Sequence, residues 1–244
     1  MARDNSGENH AEGSLGGRVV GNVFRCHRGP ELQSGLNYSW VEGGYLRITP
    51  DHGAKVAGGF ADGSVAITPH LQLYAAYYYA TQYNLQSCYS SPYASGCDTL
   101  TSSGHNYRLG FGWHTGLADH TDLLANLYYA HNAYHNARIS TQTINYCPPG
   151  LLCPIPISNP FTFSTTSDST GDGYQLSFGL RTAPVPALEF QGLLGHQRVS
   201  NSGSSNFADV GIVLDMARHW AFTLDWAHYF IPQNQFRLGL RYYF

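Results

Sequence analysis

The sequence predicts an all-β protein, a single antiparallel up-and-down transmembrane β-barrel of about ten strands, with eight strands as the alternative. Three observations support this prediction. Segments of about ten residues alternate apolar with polar side chains, short and longer polar connections alternate between them, and the chain closes on Phe244 after such a segment. We expect one barrel domain over residues 36–244, preceded by a polar segment over 1–35 that is disordered or an addition to the natural chain.

Composition excludes several other classes of protein. Charged residues make up 12% of the chain, while its 18 Tyr, 12 Phe and 27 Gly suit aromatic-rich strands. The longest apolar runs, such as residues 71–80, fall short of the roughly 20 residues that a spanning helix needs. A net charge of −3 and a pI near 6.4 give no basic surface for nucleic acid, so none is expected as a partner. Residues 1–35 also lack the apolar core of a signal peptide.

The predicted strands follow one another from residue 37. They cover residues 37–49, 54–67, 71–83, 107–115, 121–134, 174–182, 188–199, 207–216, 220–230 and 236–244. Alternation is clear in the strand over 220–230, where Phe222, Leu224 and Trp226 oppose Thr223 and Asp225. The segments 54–67, 71–83 and 121–134 alternate weakly, and we assign them from their length and their neighbours.

The connections between strands predict the topology. Short turns fall at residues 68–70, 118–120, 184–186 and 217–219, where proline or polar residues end a strand. Longer links fall at residues 50–53, 84–104, 135–171, 200–205 and 231–234. This alternation places both termini on the side of the short turns, which is the periplasm in outer-membrane barrels, and makes the longer links extracellular loops. The proline-rich link over 135–171 either folds over the barrel mouth or is mobile.

Charged side chains recur on the face opposite the apolar one, and we predict that they line the lumen. This lumen charge network comprises Glu42, Arg181, Glu189, Asp215, Asp225, Arg237 and Arg241, with Arg108 and Asp209 on the same face. We expect Arg241 to lie beside Glu42 and Arg181 to face Glu189, so that paired charges close the lumen.

Alternation alone also fits a soluble barrel such as a lipocalin, whose charges would face water. The aromatic residues favour the membrane orientation, because packed inward they would overfill a small barrel, whereas amphipathic rings suit the lipid headgroup levels. The predicted aromatic girdle comprises Tyr107, Trp113, Trp220, Trp226, Phe230, Tyr242 and Phe244.

Two stretches resemble known proteins. Residues 236–244 resemble the C-terminal signal of bacterial outer-membrane proteins, and residues 37–45 with 63–68 resemble the opening hairpin of small barrels similar to the outer-membrane protein A transmembrane domain. The resemblance covers residues 36–244. It implies the outer membrane of a Gram-negative bacterium, contact with outer-membrane lipid and lipopolysaccharide, and recognition of the last strand by the barrel-assembly machinery. The predicted strand number departs from the eight of that relative, which limits the resemblance to architecture.

The five cysteines predict disulfides within two of the longer links. Cys88 and Cys97 share one link, and Cys147 and Cys153 share another, so two short-range disulfides are expected if these links face an oxidising space. Zinc is the alternative, although neither pair has the spacing of a zinc site. Cys26 is left over. No cofactor and no metal are predicted.

Polar residues of the strands and links give candidates for three chemistries. The omptin proteases are ten-stranded and activate water with carboxylates and a histidine near the rim, roles for which Asp209, Asp225 and His105 are candidates. A lipid-modifying hydrolase could use Ser102 or Ser103 with His105. Residues 168–173 resemble a calcium loop faintly but lack its closing Glu.

The leading functional hypothesis is a non-enzymatic, porin-like outer-membrane barrel with a structural, adhesive or surface-interaction role. Its surface-exposed loops would then be the elements that contact a surface ligand or host partner. A rim-active enzyme is the second hypothesis. A narrow channel is the third, and it is disfavoured because the inward charges can pair.

Overall fold

The computed structural model describes residues 36–50, 55–91, 94–146, 157–230 and 233–244. The predicted segment 1–35, with Cys26, lies outside these residues, as do Cys147 and Cys153. Ten strands are described: β1 (Trp40–Pro50), β2 (Val56–Ala66), β3 (Leu71–Ser90), β4 (Ala94–Ala118), β5 (Thr121–Tyr146), β6 (Ile157–Val185), β7 (Leu188–Val199), β8 (Gly203–Ala217), β9 (Trp220–Tyr229) and β10 (Gln233–Tyr243).

The strands form one closed barrel. Each strand pairs antiparallel with its sequence neighbours, and β1 pairs with β10 to close the sheet, so that Glu42 lies opposite Arg241. The predicted all-β barrel is confirmed, with ten strands in the described residues. No helix in these residues is long and apolar enough to cross a membrane.

The alternation of side chains sets the two faces of the sheet, because successive residues of a strand point to opposite sides. In β9, Trp220 and Trp226 are exposed on the outside, while Ala221, Thr223 and Asp225 are buried inside. The weakly alternating strands β3 and β5 follow the same rule, with Tyr78 and Ala80 of β3 and Leu124 and Asn126 of β5 buried inside. The barrel is therefore apolar outside, and its interior holds the charges together with buried apolar clusters such as that of Leu46 and Phe60.

The short turns lie where the sequence predicts them. They join β2 to β3, β4 to β5, β6 to β7 and β8 to β9, all at the end of the barrel where β1 begins and β10 ends. His120 has a φ of 60° in the turn between β4 and β5, a left-handed conformation that non-glycine residues adopt mainly in tight turns. We call this end of the barrel the short-turn end and the other the rim.

Two of the predicted loops are instead continued strands. Within residues 84–104 and 135–171, β3 runs on to Ser90, β4 begins at Ala94, β5 runs to Tyr146 and β6 begins at Ile157. We call these two stretches the β3–β4 extension and the β5–β6 extension. Their backbones pair although polar side chains occur on both faces, because a sheet that projects beyond the membrane meets water on both sides. The predicted Cys88–Cys97 disulfide is present in the β3–β4 extension.

Candidate functional site: the lumen and the rim

Paired charges occupy the lumen of the barrel. Arg181 of β6 donates from Nη2 and Nε to Oε2 of Glu189 on β7, at 2.5 and 3.0 Å, and both side chains are buried. Its Nη1 donates to the carbonyl of Asn37 at 3.1 Å. Burial of an ion pair is tolerated when further hydrogen bonds satisfy its groups, and the bond from Nη1 to Asn37 supplies one of them.

A second pair joins the first strand to the last. Arg241 donates from Nη2 and Nε to Oε2 of Glu42 at 2.7 and 2.8 Å, and Thr223 Oγ1 donates to Oε1 of the same carboxylate at 2.7 Å. The guanidinium of Arg241 also lies over the ring of Trp40, 4.1 Å from its centroid. Both ends of this pair are therefore held by neighbouring side chains.

Arg237 connects three other strands across the lumen. Its nitrogens lie 3.3 Å from Asp62 on β2, 3.5 Å from Asp209 on β8 and 3.6 Å from Asp225 on β9. Its Nη1 also donates to the hydroxyl of Tyr78 at 3.0 Å. We call these residues the Arg237 cluster. From β10, the guanidinium extends into the lumen and reaches carboxylates on the adjacent strand β9 and on β2 and β8, each two strands away.

Asp215, the remaining member of the predicted network, faces the lumen at the short-turn end. Its Oδ1 is buried and has no hydrogen-bond partner among the described residues. A polar cavity of about 90 Å³ remains between the lumen pairs, lined by Glu42, Asp62, Arg108 and Arg237 among others. A space of this size holds only a few waters.

Sequence reasoning missed Asp62 as a lumen residue. It lies in the Gly-rich strand β2, whose facing the alternation left uncertain. The hairpin register places it opposite Glu42, so the inward position of Glu42 was the signal that could have located it.

Residues 36–39, which precede β1, enter the lumen at the short-turn end; we call them the inner plug. Tyr38 is buried, donates from its hydroxyl to Asp122 Oδ2 at 2.6 Å, and stacks on His114 with ring centroids 3.7 Å apart. Leu36 is also buried and packs against Leu124. Asp122 lies in a strand that reads as nearly continuous apolar sequence, so nothing local predicted this contact.

All seven residues of the predicted aromatic girdle lie on the outer face of the barrel. Trp113, Trp220, Tyr242 and Phe244 lie near the short-turn end, and Tyr107, Trp226 and Phe230 lie toward the rim. Trp220 and Tyr242 contact each other edge to face, with centroids 5.0 Å apart. Between the two levels the outer face exposes leucine and phenylalanine, for example Leu109 at 59% and Phe111 at 60%.

Polar pairs tie the extensions together. Asp98 of β4 accepts hydrogen bonds from Arg138 Nη2 and Ser140 Oγ of β5, each at 2.5 Å. These hydrogen bonds lower the pKa of the Asp98 carboxyl, because they stabilise its charged form. His135 of β5 pairs through Nδ1 with Asp168 of β6 at 2.5 Å. The extensions of four consecutive strands therefore form one connected sheet.

The proposed catalytic groupings are not assembled. Asp209 and Asp225 contact Arg237 inside the lumen, whereas His105 faces outward and bonds to the Tyr77 hydroxyl at 2.7 Å. Ser102 donates to Asn136 at 2.5 Å rather than to His105. Residues 168–173 lie within β6 rather than in a loop. No group of three potential metal ligands was found among the described residues.

The fold and the two faces define the class of this protein. A closed antiparallel barrel leaves no unpaired edge, and its apolar outer band meets hydrocarbon while its charges stay enclosed. Such a barrel, with short turns at one end and longer connections at the other, is an outer-membrane β-barrel, located in the outer membrane of a bacterium.

Solved structures include similar barrels, although no family model and no curated protein matches the sequence. Ail, the attachment invasion locus protein of Yersinia pestis, is 9% identical with a TM-score of 0.36, covering 86% of this chain and all of its own. The transport unit of the autotransporter AIDA-I from Escherichia coli is 11% identical with a TM-score of 0.42, covering 86% of this chain and 91% of its own. The KdgM porin is 9% identical with a TM-score of 0.39, covering 84% of this chain and 99% of its own.

Proposed function

We propose that this protein is an outer-membrane barrel with a closed lumen and a structural or surface-interaction role, in which the strand extensions are the contact elements. The Arg237 cluster carries the proposal, since one guanidinium reaches carboxylates on three strands. The proposed partners are lipopolysaccharide and outer-membrane lipid around the barrel, the barrel-assembly machinery at β10, and a surface ligand at the extensions.

Closure of the lumen follows from the layers of side chains along it. The inner plug and the Arg181–Glu189 pair lie at the short-turn end, and Glu42–Arg241 and the Arg237 cluster lie further in. An ion that crossed the barrel would have to separate pairs whose disruption costs roughly 3–5 kcal/mol each. A stable open current is therefore not expected.

The extensions support a contact role because they carry exposed apolar side chains beyond the membrane band. Ile139 is 50% exposed, Phe161 53% and Phe163 48%. Phe161 and Phe163 lie opposite Gln142 and Ser140 on β5, so their rings lie on one face of the β5–β6 extension. Exposed apolar side chains that share a face are typical of surfaces that bind partners.

Conductance in planar bilayers tests the closed lumen. The purified protein is expected to give no stable open current, whereas Arg237→Ala with Arg241→Ala, which removes two long side chains from the lumen, is expected to raise conductance. Arg138→Ala changes a charge on the extension and serves as the control. A steady open current from the unsubstituted protein contradicts the proposal.

Attachment of cells to a polystyrene surface tests the contact role. Cells that display the protein are expected to attach more than cells without it, and Phe161→Ser with Phe163→Ser is expected to remove most of that difference. Phe230→Ser, at an exposed outward position on the barrel itself, is the matched control. Equal attachment by the double variant contradicts the assignment of these residues.

A rim-active hydrolase is the second candidate, and the His135–Asp168 pair favours it, because a carboxylate that orients an imidazole is the usual partner of a general base. Both side chains are more than half exposed. His135→Ala is expected to abolish any lipid or peptide hydrolysis by the detergent-solubilised protein. Hydrolysis that persists in this variant removes the pair from consideration.

A further inference from the structure

Histidines recur at one level on the outer face of the barrel. On four strands, a histidine occupies the outward-facing position one step nearer the rim than an exposed tyrosine, leucine or tryptophan. The successions are Tyr107 to His105 on β4, Tyr129 to His131 on β5, Leu194 to His196 on β7 and Trp226 to His228 on β9. We call these four histidines the histidine belt. On β1, Arg47 follows exposed Tyr45 in the same way.

The histidine belt lies at the outer edge of the apolar band. Eight residues separate Trp220 from His228 on β9, and twelve separate Leu117 from His105 on β4. At about 3.3 Å per residue and a strand tilt of about 40°, these spans rise about 20 and 30 Å, which bracket the roughly 25 Å apolar band of such barrels. The belt is therefore at the level of the lipid headgroups on the rim side.

Each histidine is held through Nδ1 by a neighbouring strand. His131 bonds to Asp172 Oδ1 at 2.7 Å, and His105 bonds to the Tyr77 hydroxyl at 2.7 Å. The other two are held by asparagines: His196 bonds to Asn206 Oδ1 at 2.8 Å and His228 to Asn234 Oδ1 at 2.9 Å. Carboxylate and amide oxygens accept hydrogen bonds, so they place the proton on Nδ1 and leave Nε2 as the second site.

The second nitrogen determines what these side chains can bind. With its proton on Nδ1, a neutral imidazole offers only a lone pair at Nε2, whereas an imidazolium donates from both nitrogens. Phosphate oxygens are acceptors, and a nearby anion favours the charged imidazole. A phosphate at this level can therefore take a charge-assisted hydrogen bond from Nε2, with uptake of a proton.

We propose that the histidine belt binds the phosphate groups of the glycolipid in the outer leaflet, and that the site is strongest at His196 and His228. The inference rests on the proposed function, which places lipopolysaccharide around the barrel. A headgroup phosphate attached to an acyl-chain anchor reaches this level from the lipid side, where the belt and the exposed Arg198 and Arg47 face it.

The groups around each histidine determine how favourably it can bind a phosphate. At His196, Arg198 lies two residues along the same strand, Tyr174 lies on β6, and Ser204 Oγ is 3.2 Å from Nε2. At His228, the neighbours Trp226, Phe230, Asn234 and Ala208 do not titrate.

His131 and His105 are expected to bind phosphate more weakly than His196 and His228. At His131, the Asp172 carboxylate opposes a second anion, and Tyr107 and Tyr129 complete the surroundings. At His105, the rings of Tyr77 and Tyr79 contact the imidazole, and Tyr107 packs against Tyr77. An acidic neighbour or a crowded ring makes the binding of a phosphate less favourable.

Native mass spectrometry of the full chain in maltoside micelles tests the proposal. The probes are diphosphoryl lipid A, the same lipid without phosphates, and inorganic phosphate. The protein is expected to retain the diphosphoryl lipid in preference to the dephosphorylated one. His196→Phe with His228→Phe keeps aromatic rings at the interface and is expected to weaken retention at about pH 6 by about tenfold.

His219→Phe is the matched control. His219 is held in the same way, through Nδ1 to the carbonyl of Tyr243 at 3.1 Å, but it lies at the short-turn end, away from the outer leaflet. This variant is expected to retain lipid A like the unsubstituted protein. Unchanged retention by the double variant overturns the proposal, as does an equal loss in His219→Phe.

The remaining outcomes are also decisive. Displacement of lipid A by inorganic phosphate at a matched phosphate concentration would show a site for free phosphate and overturn the assignment to glycolipid. Conductance and heat-modifiable migration, measured on the same variants, report the closed lumen and the folded barrel. An open current therefore contradicts the proposed function and leaves the belt result standing, whereas loss of the lipid preference alone contradicts only the belt.

Discussion

Replacement of Arg237 by methionine tests whether the lumen charges hold the barrel together. The substitution keeps the length and most of the volume of the side chain but leaves Asp62, Asp209 and Asp225 without the guanidinium that now lies 3.3 to 3.6 Å from them. Loss of one partner of a buried ion pair costs roughly 3–5 kcal/mol. Because these contacts are longer than those of a tight pair, we expect about 3 kcal/mol.

Urea unfolding of the barrel in phosphatidylcholine vesicles, followed by tryptophan fluorescence, measures this cost. With a slope of about 2–3 kcal/mol per molar urea, the midpoint should fall by about 1 M or more. Arg218→Met, at an exposed position in a short turn, should change stability by no more than about 0.5 kcal/mol.

A neutralising second substitution separates charge from packing. Arg237→Met combined with Asp225→Asn removes one uncompensated carboxylate and should recover part of the lost stability, a coupling that contacting residues show and distant ones do not. A midpoint for Arg237→Met no lower than that of Arg218→Met would refute the view that the cluster stabilises the lumen.

Three further predictions concern the plug and the extensions. Tyr38→Phe removes the donor to Asp122 and should destabilise the barrel by about 1–3 kcal/mol in the same urea assay. Hydrogen bonds from Arg138 and Ser140 lower the pKa of Asp98, so these contacts should protect nearby amides from hydrogen exchange above about pH 4 and lose that effect as the pH falls through the lowered pKa. Arg138→Ala removes the larger of the two contributions and should show a weaker pH dependence. Cys88→Ser opens a link of nine residues and should weaken local exchange protection of the β3–β4 extension by about 2–3 kcal/mol without changing the urea midpoint.

The barrel could be predicted from sequence because each strand inside the membrane meets two different environments. A residue such as Trp226 faces lipid and its neighbour Asp225 faces the lumen, and a period of two follows directly. The same contrast fixed the positions of the short turns. Once Glu42 faced inward, pairing of the last strand with the first placed Arg241 beside it.

The extensions could not be distinguished from loops by the same means. Beyond the rim both faces of the sheet meet water, so residues 84–104 and 135–171 show no regular alternation, although their described parts pair as strands. The inner plug escaped prediction for a different reason. Its contacts with Asp122, His114 and Arg181 join residues 76 or more positions apart, and a local pattern carries no information about them.

The lumen charges also specify which way each strand faces. A slip of one residue in β10 would turn Arg237 and Arg241 toward lipid and bring Leu238 and Leu240 into a polar lumen. A charged side chain on the lipid face costs about 2–4 kcal/mol near the middle of the bilayer, so two such changes outweigh the few kcal/mol that a misaligned ladder could recover. The ion pairs therefore contribute more to the correct alignment of the strands than to the net stability of the barrel. Substitution of both arginines by leucine should leave β10 able to pair in either alignment, and cysteine crosslinking between positions 43 and 240, which face each other in the observed register, would then become incomplete.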